Sequence, residues 1–219
     1  MQRVMDLSPV RGLESKRVVA LASGNGCEHV SAITDAGELY TWGYNARGQC
    51  GQDSTNPITE PTRVAALSTK VVRLVASSYF HTVVATESDE VWAFGRNDFG
   101  QLGIADGHDK HAPTLVSSLR DRQVLAIACG QYHTVLSLAY GGCYAFGKND
   151  YGQLGLESPD VRATPVLISE PLSDEVVTQL ACGYYHTLAL TGEGKVYSFG
   201  RSVILHDSIG GGTRMNIKL

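Results

Sequence analysis

Residues 94–103 read FGRNDFGQLG, and residues 146–155 read FGKNDYGQLG. A third copy, WGYNARGQCG, occupies residues 42–51, so the copies stand 52 residues apart. Other residue types keep this period of 52 or 53 residues. The repeated positions are Gly43, Gly95, Gly147 and Gly200; His29, His81, His133 and His186; Asn45, Asn97 and Asn149; Gln49, Gln101 and Gln153; and Pro9, Pro61, Pro113 and Pro165. Several residue types on one period identify an internal repeat.

Each repeat contains strand signals and no sustained helical periodicity. In one unit these signals are VLAIACG (124–130), HTVLSL (133–138), GCYAFG (142–147) and TPVLI (164–168). Short runs rich in β-branched and aromatic residues, bounded by glycine and polar turns, are typical of strands. The sequence therefore predicts an all-β fold of about four strands per unit, and such units form the blades of a β-propeller.

The repeats divide the chain into a propeller region and a tail. The units cover about 9–60, 61–112, 113–164 and 165–202, within a propeller region at 1–202. After FGRS (199–202) the repeated phrase stops, and VILHDSIGGGTRMNIKL (203–219) follows as a divergent C-terminal tail.

At these residues the sequence resembles the regulator of chromosome condensation (RCC) repeat family. The resemblance rests on ACGYYHTLALT (181–191), ACGQYHTVLSL (128–138) and ASSYFHTVVAT (76–86), together with the glycine-rich phrases. It covers roughly residues 9–202. The resemblance implies a β-propeller, usually of seven blades.

The extent of the chain leaves two architectures open. Its 219 residues hold about four units, fewer than the seven that the resemblance implies. One interpretation is a segment of a longer seven-bladed ring, which would leave its end blades exposed. The other is a closed four-bladed ring, in which residues 9–13 supply the outer strand of the last blade and so remove an exposed edge.

Composition excludes several classes of protein. The formal net charge is −4, the pI is about 5.9 and the basic residues are scattered, so nucleic-acid binding is not expected. Five cysteines without CxxC pairs predict neither a disulfide framework nor a zinc site, and they favour a reducing, intracellular compartment. We expect a cytoplasmic protein, with the nucleus as the alternative. No apolar run is long enough to span a membrane, so no membrane partner is expected.

The repeated phrase also invites comparison with a phosphate-binding loop, because Gly147 and Gly152 stand five apart. Such a loop needs Lys and then Ser or Thr after its second glycine, whereas Gln153 and Leu154 follow Gly152. The phrase instead predicts a connector between strands. Its glycines allow close packing and positive φ, Asn149 bonds its own turn or takes left-handed geometry, and the Gln153 amide pairs with loop backbone groups.

The four periodic histidines raise the question of a metal site. Equivalent positions lie in separate blades and need not converge on one ion, and each histidine precedes a strand and usually a threonine. We therefore expect them to form hydrogen bonds that stabilise turns. Catalytic motifs such as GxSxG and HExxH are absent, so the sequence predicts a protein that is not an enzyme and that has no cofactor or bound metal.

The remaining candidate for function is a surface formed by loops. In an antiparallel blade, the loop after the first strand and the loop after the third emerge on the same face. Aromatic anchors ringed by polar loops are typical of protein interfaces. The alternative is that these aromatic rings pack between blades as part of the core. The sequence does not decide between binding and packing, except that it favours binding for Tyr132 and Tyr184. The partner-binding candidates are Tyr79, Phe80, Tyr132, Tyr184, Tyr185, His108 and Asp109.

The resemblance implies a non-enzymatic protein-interaction platform, as in family members that belong to ubiquitin ligases and signalling scaffolds. The partner would then be a protein, such as a ubiquitylation substrate. An alternative implied by the founding member is guanine-nucleotide exchange on a small GTPase, but no residue for that activity maps onto this chain. The chain is also similar, at the level of the repeat, to a plant ultraviolet-B photoreceptor that depends on clustered tryptophans. This chain has only Trp42 and Trp92, so we do not expect a photoreceptor.

Overall fold

The computed structural model describes residues 8–24 and 26–201, and their fifteen strands form four antiparallel sheets. Each sheet is one blade with its strands in chain order. Blade 1 is β1 (Val18–Ala22), β2 (His29–Thr34), β3 (Leu39–Gly43) and β4 (Ile58–Arg63). Blade 2 is β5 (Val72–Ser77), β6 (His81–Thr86), β7 (Val91–Gly95) and β8 (Lys110–Leu115). Blade 3 is β9 (Val124–Cys129), β10 (His133–Leu138), β11 (Cys143–Gly147) and β12 (Arg162–Leu167). In blade 4 the described strands are β13 (Val177–Cys182), β14 (His186–Thr191) and β15 (Val196–Gly200). The predicted all-β propeller fold is confirmed.

The blades are phased differently from the sequence units. Pro61, Pro113 and Pro165, where the units were divided, lie inside the fourth strands β4, β8 and β12. The fourth strand is an edge of each of the three four-stranded sheets, where a residue without a backbone N–H is tolerated. Two single-turn 3₁₀ helices, Ala65–Leu67 and Ser117–Leu119, follow β4 and β8 and bury Leu67 and Leu119.

The hydrophobic core lies between neighbouring blades. The repeated aromatic residue packs across the interface to the preceding blade. Phe94 packs with residues of blade 1, and Phe146 packs with residues of blade 2. Both rings are fully buried. Gly51 and Gly103 make room for these rings, because a Cβ at either glycine would lie about 3 Å from the ring of Phe94 or Phe146. The last glycine of the phrase therefore lets one blade receive the aromatic ring of the next.

The four blades form an arc with two exposed end faces. At one end, Val19 and Leu21 of β1 are 57% and 69% exposed. At the other, Leu188 of β14 and Val196 of β15 are 39% and 43% exposed. The expectation of exposed end blades in a partial ring agrees with this arrangement.

Among the described residues, the strand that the alternative of a closed four-bladed ring requires at residues 9–13 does not form. Residues 9–13 contain no strand, and a Cβ on Gly12 would lie 3.7 Å from Pro61 in blade 1. The segment expected to complete the last blade therefore lies beside β4 of the first. The tail predicted at residues 203–219 lies outside the described residues.

Candidate protein-interaction face

The strand-connecting loops place the predicted site residues on one face of the arc, which we call the upper face. It includes the loops after the first strands of blades 2–4, near residues 78–80, 130–132 and 183–185. It also includes the loops after the third strands of blades 1–3, at 44–57, 96–109 and 148–161. The two sets of loops touch: the rings of Phe99 and Tyr132 are 5.1 Å apart, and those of Tyr151 and Tyr185 are 5.2 Å apart.

The repeated phrase holds these loops rigid. In three blades the side-chain oxygen of the asparagine accepts the N–H five residues on, as Asn149 Oδ1 does from Leu154 at 2.8 Å. The glutamine amide oxygen accepts a second N–H, as Gln153 Oε1 does from Tyr151 at 2.9 Å. Of the two roles expected for Asn149, the structure shows bonding within its own turn. Gly147 has φ +107° and meets the Tyr132 carbonyl so closely that a Cβ would lie 2.3 Å away.

Beneath this face, the periodic histidines join the blades. His29, His81 and His133 are fully buried, and each Nε2 lies near the threonine hydroxyl of the next blade, at 2.7, 2.9 and 3.1 Å. The same hydroxyls, on Thr82, Thr134 and Thr187, donate to the carbonyls of Gln49, Gln101 and Gln153 at 2.8–2.9 Å. Because a hydroxyl has one proton and gives it to a carbonyl, the histidine Nε2–H must be the donor in each pair.

Burial keeps these imidazoles neutral. Desolvation lowers the pKa of His29 to about 4 and those of His81 and His133 to about 3. With Nε2 protonated, Nδ1 is an acceptor, and in His81 it lies 2.7 Å from the Ser78 hydroxyl of its own turn. A neutral ring has one N–H donor and one acceptor, which is what a hydrogen-bond chain of fixed direction requires. Among the described residues no cluster of side chains has the composition of a metal site.

The upper face carries alternating cationic and aromatic side chains, which we call the cation–aromatic row. The Arg96 guanidinium lies 5.2 Å from the Phe80 ring centre and 5.1 Å from that of Tyr132. Lys148 Nζ lies 4.8 Å from the Phe99 ring centre. The row consists of Phe80, Arg96, Phe99, Tyr132, Lys148, Tyr151, Tyr185 and Arg201. Cation–π contacts at these distances stabilise the loops by roughly 0.5–1 kcal/mol each.

Carboxylates neutralise much of the positive charge on this face. Asp98 pairs with Arg96, and Asp150 lies 2.8 Å from Lys148 and raises its pKa through a hydrogen bond. Asp109 lies 3.1 Å from Arg47, and its other oxygen accepts the Asn97 N–H at 2.9 Å. The upper face is therefore aromatic and charge-balanced, unlike the basic patch of a nucleic-acid-binding protein.

The predicted partner-binding residues separate into two groups. Phe80, Tyr132 and Tyr185 are half-buried in the row, and Asp109 is held by its two bonds. Tyr184 is 39% exposed and His108 is exposed. The half-buried ring of Tyr79 and the Tyr184 hydroxyl both lie close to Gly26, where a Cβ would be 2.9 Å from the Tyr79 ring and 2.3 Å from the Tyr184 hydroxyl. Blades 1, 2 and 4 thus meet at Gly26, and we call Tyr79 and Tyr184, which flank it, the tyrosine pair.

Sequence reasoning missed the basic and aromatic residues of the repeated phrase itself. Arg96, Lys148 and Arg201 directly follow the aromatic-Gly pair, and Phe99 and Tyr151 precede the second glycine. Their recurrence at the period of the repeat was the available signal. This recurrence does not by itself show that the side chains meet, because the row joins residues of neighbouring blades.

Comparison with known proteins identifies the family. The sequence model of the RCC1-like domain matches residues 2–212, nearly the whole chain. The chain belongs to the RCC1-like domain family. The resemblance inferred from the repeats is therefore confirmed.

Relatives of this RCC1-like domain are longer than the chain. The probable E3 ubiquitin-protein ligase HERC4 of Rattus norvegicus is 36% identical over 193 residues, which cover 87% of this chain and 18% of HERC4. The ultraviolet-B receptor UVR8 of Arabidopsis thaliana is 33% identical over 193 residues, covering 88% and 43%. The structure of Prp20p from Saccharomyces cerevisiae superposes with a TM-score of 0.73 at 20% identity, covering 87% and 47%, which shows the fold alone. The chain spans less than half of each of these proteins.

Proposed function

We propose that this RCC1-like domain is a non-enzymatic protein-interaction module whose binding surface is the upper face. The observation that carries the proposal is the tyrosine pair Tyr79 and Tyr184, which sits beside the braced cation–aromatic row. Aromatic side chains on a rigid support bind with little loss of conformational entropy. The charge-balanced rim favours a protein over a nucleic acid as the partner.

The relatives indicate a setting for such a module. The likeness to HERC4 supports a role in recruiting a protein to a larger ubiquitin ligase, and the partner would then be a ubiquitylation substrate. The five cysteines are free thiols, which supports a reducing compartment, and we propose the cytoplasm, with the nucleus as the alternative. Among the described residues there is no helix long and apolar enough to cross a bilayer.

The experiment compares partner capture by variants of the two faces of the arc. Tyr79→Ala with Tyr184→Ala removes the tyrosine pair. Tyr140→Ala is the matched control, because Tyr140 is 94% exposed in the loop between β10 and β11, which emerges on the opposite face. We expect proteins crosslinked to the wild-type chain in cells to be lost with the double variant and kept with Tyr140→Ala. Equal loss from both variants would refute the assignment of the upper face.

A second candidate function is nucleotide exchange on a small GTPase. The structure of Prp20p was described together with its binding to Gsp1p and histones, and its fold likeness to this chain supports testing the activity. The test is release of a fluorescent guanine nucleotide from a panel of small GTPases at low salt. Release above background with any member would place exchange ahead of simple binding.

A further inference from the structure

A pair of opposite charges recurs on the face of the arc opposite the upper face, which we call the lower face. One member stands two residues before the first strand of a blade, and the other stands directly before the third strand. The pairs are Lys16 with Glu38 in blade 1, Lys70 with Glu90 in blade 2 and, with the signs exchanged, Glu175 with Lys195 in blade 4, at N–O distances of 2.6, 2.8 and 2.7 Å. Three of the four blades thus neutralise this cation internally.

An aromatic ring accompanies the cation in blades 1 and 2. Lys16 Nζ lies 5.7 Å from the ring centre of Tyr40, and Lys70 Nζ lies 5.9 Å from that of Trp92. Both rings belong to the second residue of a third strand. Each cation therefore has a ring and a carboxylate as its neighbours, and both of these attract a positive charge.

Blade 3 keeps the cation and the ring but lacks the carboxylate. The Arg122 guanidinium lies 5.1 Å from the ring centre of Tyr144 and donates to the hydroxyl of the same tyrosine at 2.5 Å. Where blades 1 and 2 have Glu38 and Glu90, blade 3 has Gly142. Among the described residues no carboxylate lies within 4 Å of the Arg122 guanidinium, and Arg122 is exposed. Its charge is therefore open to a carboxylate from another molecule.

Two more arginines add positive charge to this part of the lower face. Arg73 of blade 2 donates to the Val124 carbonyl at 2.5 Å, two residues after Arg122, and Arg120 is exposed two residues before it. In the part of the chain that the structure describes, neither guanidinium has a carboxylate within 4 Å, and Asp121 pairs with none of the three arginines. We call these three arginines, together with Tyr144, the arginine corner.

We propose that the arginine corner binds an acidic peptide segment of a partner protein, with one carboxylate beside Arg122. This carboxylate takes the place of Glu38 and Glu90, so the equivalent positions of blades 1 and 2 already hold a carboxylate rather than a larger phosphate. The bond to Tyr144 orients the guanidinium, which binds a carboxylate through two parallel N–H groups. The other two arginines favour a segment with several acidic residues. The site lies on the opposite face from the tyrosine pair and does not depend on it.

The test measures binding of a fluorescein-labelled peptide of alternating glutamate and glycine to the complete chain, by fluorescence anisotropy at low salt. Arg122→Gln and Lys70→Gln each remove one positive charge from the lower face, but Lys70 already has the carboxylate of Glu90. We expect Arg122→Gln to raise the dissociation constant at least about fivefold and Lys70→Gln to change it by less than about twofold. Equal losses would show that binding follows the overall charge, and this result, or no binding by the wild type, would overturn the proposal.

A second pair of variants leaves the arginines intact and changes Gly142. Gly142 has φ +88°, a conformation that aspartate and asparagine tolerate better than most residues, so Gly142→Asp and Gly142→Asn carry the same backbone strain. The aspartate places a carboxylate near Arg122, as Glu90 does near Lys70. We expect Gly142→Asp to bind the glutamate peptide at least about fivefold more weakly than Gly142→Asn. Equal affinities of these two variants would mean that the peptide does not bind at Arg122.

Two further measurements identify the anion and the face. A phosphoserine peptide matched in net charge to the glutamate peptide is expected to bind no more tightly, because the position beside Arg122 corresponds to that of a glutamate. If it binds about tenfold more tightly, the corner is a phosphate site and the proposal is wrong. The double variant Tyr79→Ala with Tyr184→Ala should bind the glutamate peptide as the wild type does. Loss of peptide binding in that variant would place the peptide on the upper face instead.

Discussion

The Nε2 atom of His81 lies 2.9 Å from the hydroxyl of Thr134 in the neighbouring blade, and that hydroxyl lies 2.8 Å from the carbonyl oxygen of Gln101. Thr134 of blade 3 thus accepts from the buried His81 and donates to the Gln101 carbonyl, and both of these partners belong to blade 2. The arrangement recurs at each of the three interfaces between blades, so it is part of the repeat and fixes how one blade sits on the next.

Removing the Thr134 hydroxyl should destabilise the domain. Thr134→Val leaves the His81 N–H and the Gln101 carbonyl without partners in a buried interface, so we expect the free energy of unfolding to fall by about 2–4 kcal/mol. Urea denaturation measures the change. Thr134→Ser keeps a hydroxyl and should therefore keep most of the unfolding free energy that Thr134→Val loses. Thr59→Val, at an exposed position of β4, should lower the free energy of unfolding by less than about 0.5 kcal/mol. A serine variant as unstable as the valine variant would contradict the role of the hydroxyl.

The buried histidines should make the domain acid-sensitive. Their folded pKa values, about 4 for His29 and about 3 for His81 and His133, lie below the ordinary 6.5. The unfolded chain therefore binds more protons below pH 6.5, and stability that is fully present above this pH is lost as the pH falls towards 4. Each histidine contributes about 1.4 kcal/mol per pH unit, so three give about 4 kcal/mol between pH 6 and 5.

Denaturation curves recorded at several pH values test this dependence. The slope of the unfolding free energy against pH, between pH 6 and 5, should fall by about one third in His81→Asn, because one of the three titrating groups is removed. His108→Asn, a histidine substitution at an exposed position, is the control. A slope that does not change in His81→Asn would show that other groups control the acid sensitivity.

The glycine that ends the third strand should tolerate no side chain. Gly147→Ala combines φ +107° with a Cβ 2.3 Å from the Tyr132 carbonyl, so the backbone of the face must move. We expect a loss of more than about 2 kcal/mol in unfolding free energy. Gly194→Ala is matched for backbone strain, with φ +85° and none of the described atoms within 4 Å of its Cβ, and should cost about 1 kcal/mol. Similar losses would mean that the close approach to Tyr132 is unimportant.

Two tyrosines of the upper face should respond differently to truncation. Tyr132 is half-buried against Phe99, Arg96 and Lys148, so Tyr132→Ala should lower the free energy of unfolding by about 2–3 kcal/mol. Tyr184 is exposed, so Tyr184→Ala should change the free energy of unfolding by less than about 1 kcal/mol and should weaken partner capture. Thermal denaturation and the crosslinking assay separate the two effects. A stable Tyr132→Ala variant would show that the row does not brace the loops.

The sequence by itself determined the repeat, the all-β propeller fold and the connector role of FGKNDYGQLG. It could do so because the glycines, Asn149 and Gln153 act within one loop, where each residue bonds a neighbour a few positions away. Local requirements of this kind leave a periodic trace that can be read without coordinates.

Only the tertiary structure decided what the histidines and the aromatic residues contact. Sequence suggested a bond within the turn for His81, and Nδ1 makes one with Ser78, but only the structure shows that Nε2 reaches Thr134, 53 residues away in another blade. The structure also decided the neighbour of Tyr132, which is Phe99 of the preceding blade. It likewise decided the position of residues 9–13, which lie beside β4. The period sets which residues recur, whereas the packing of one blade on the next sets which of them meet.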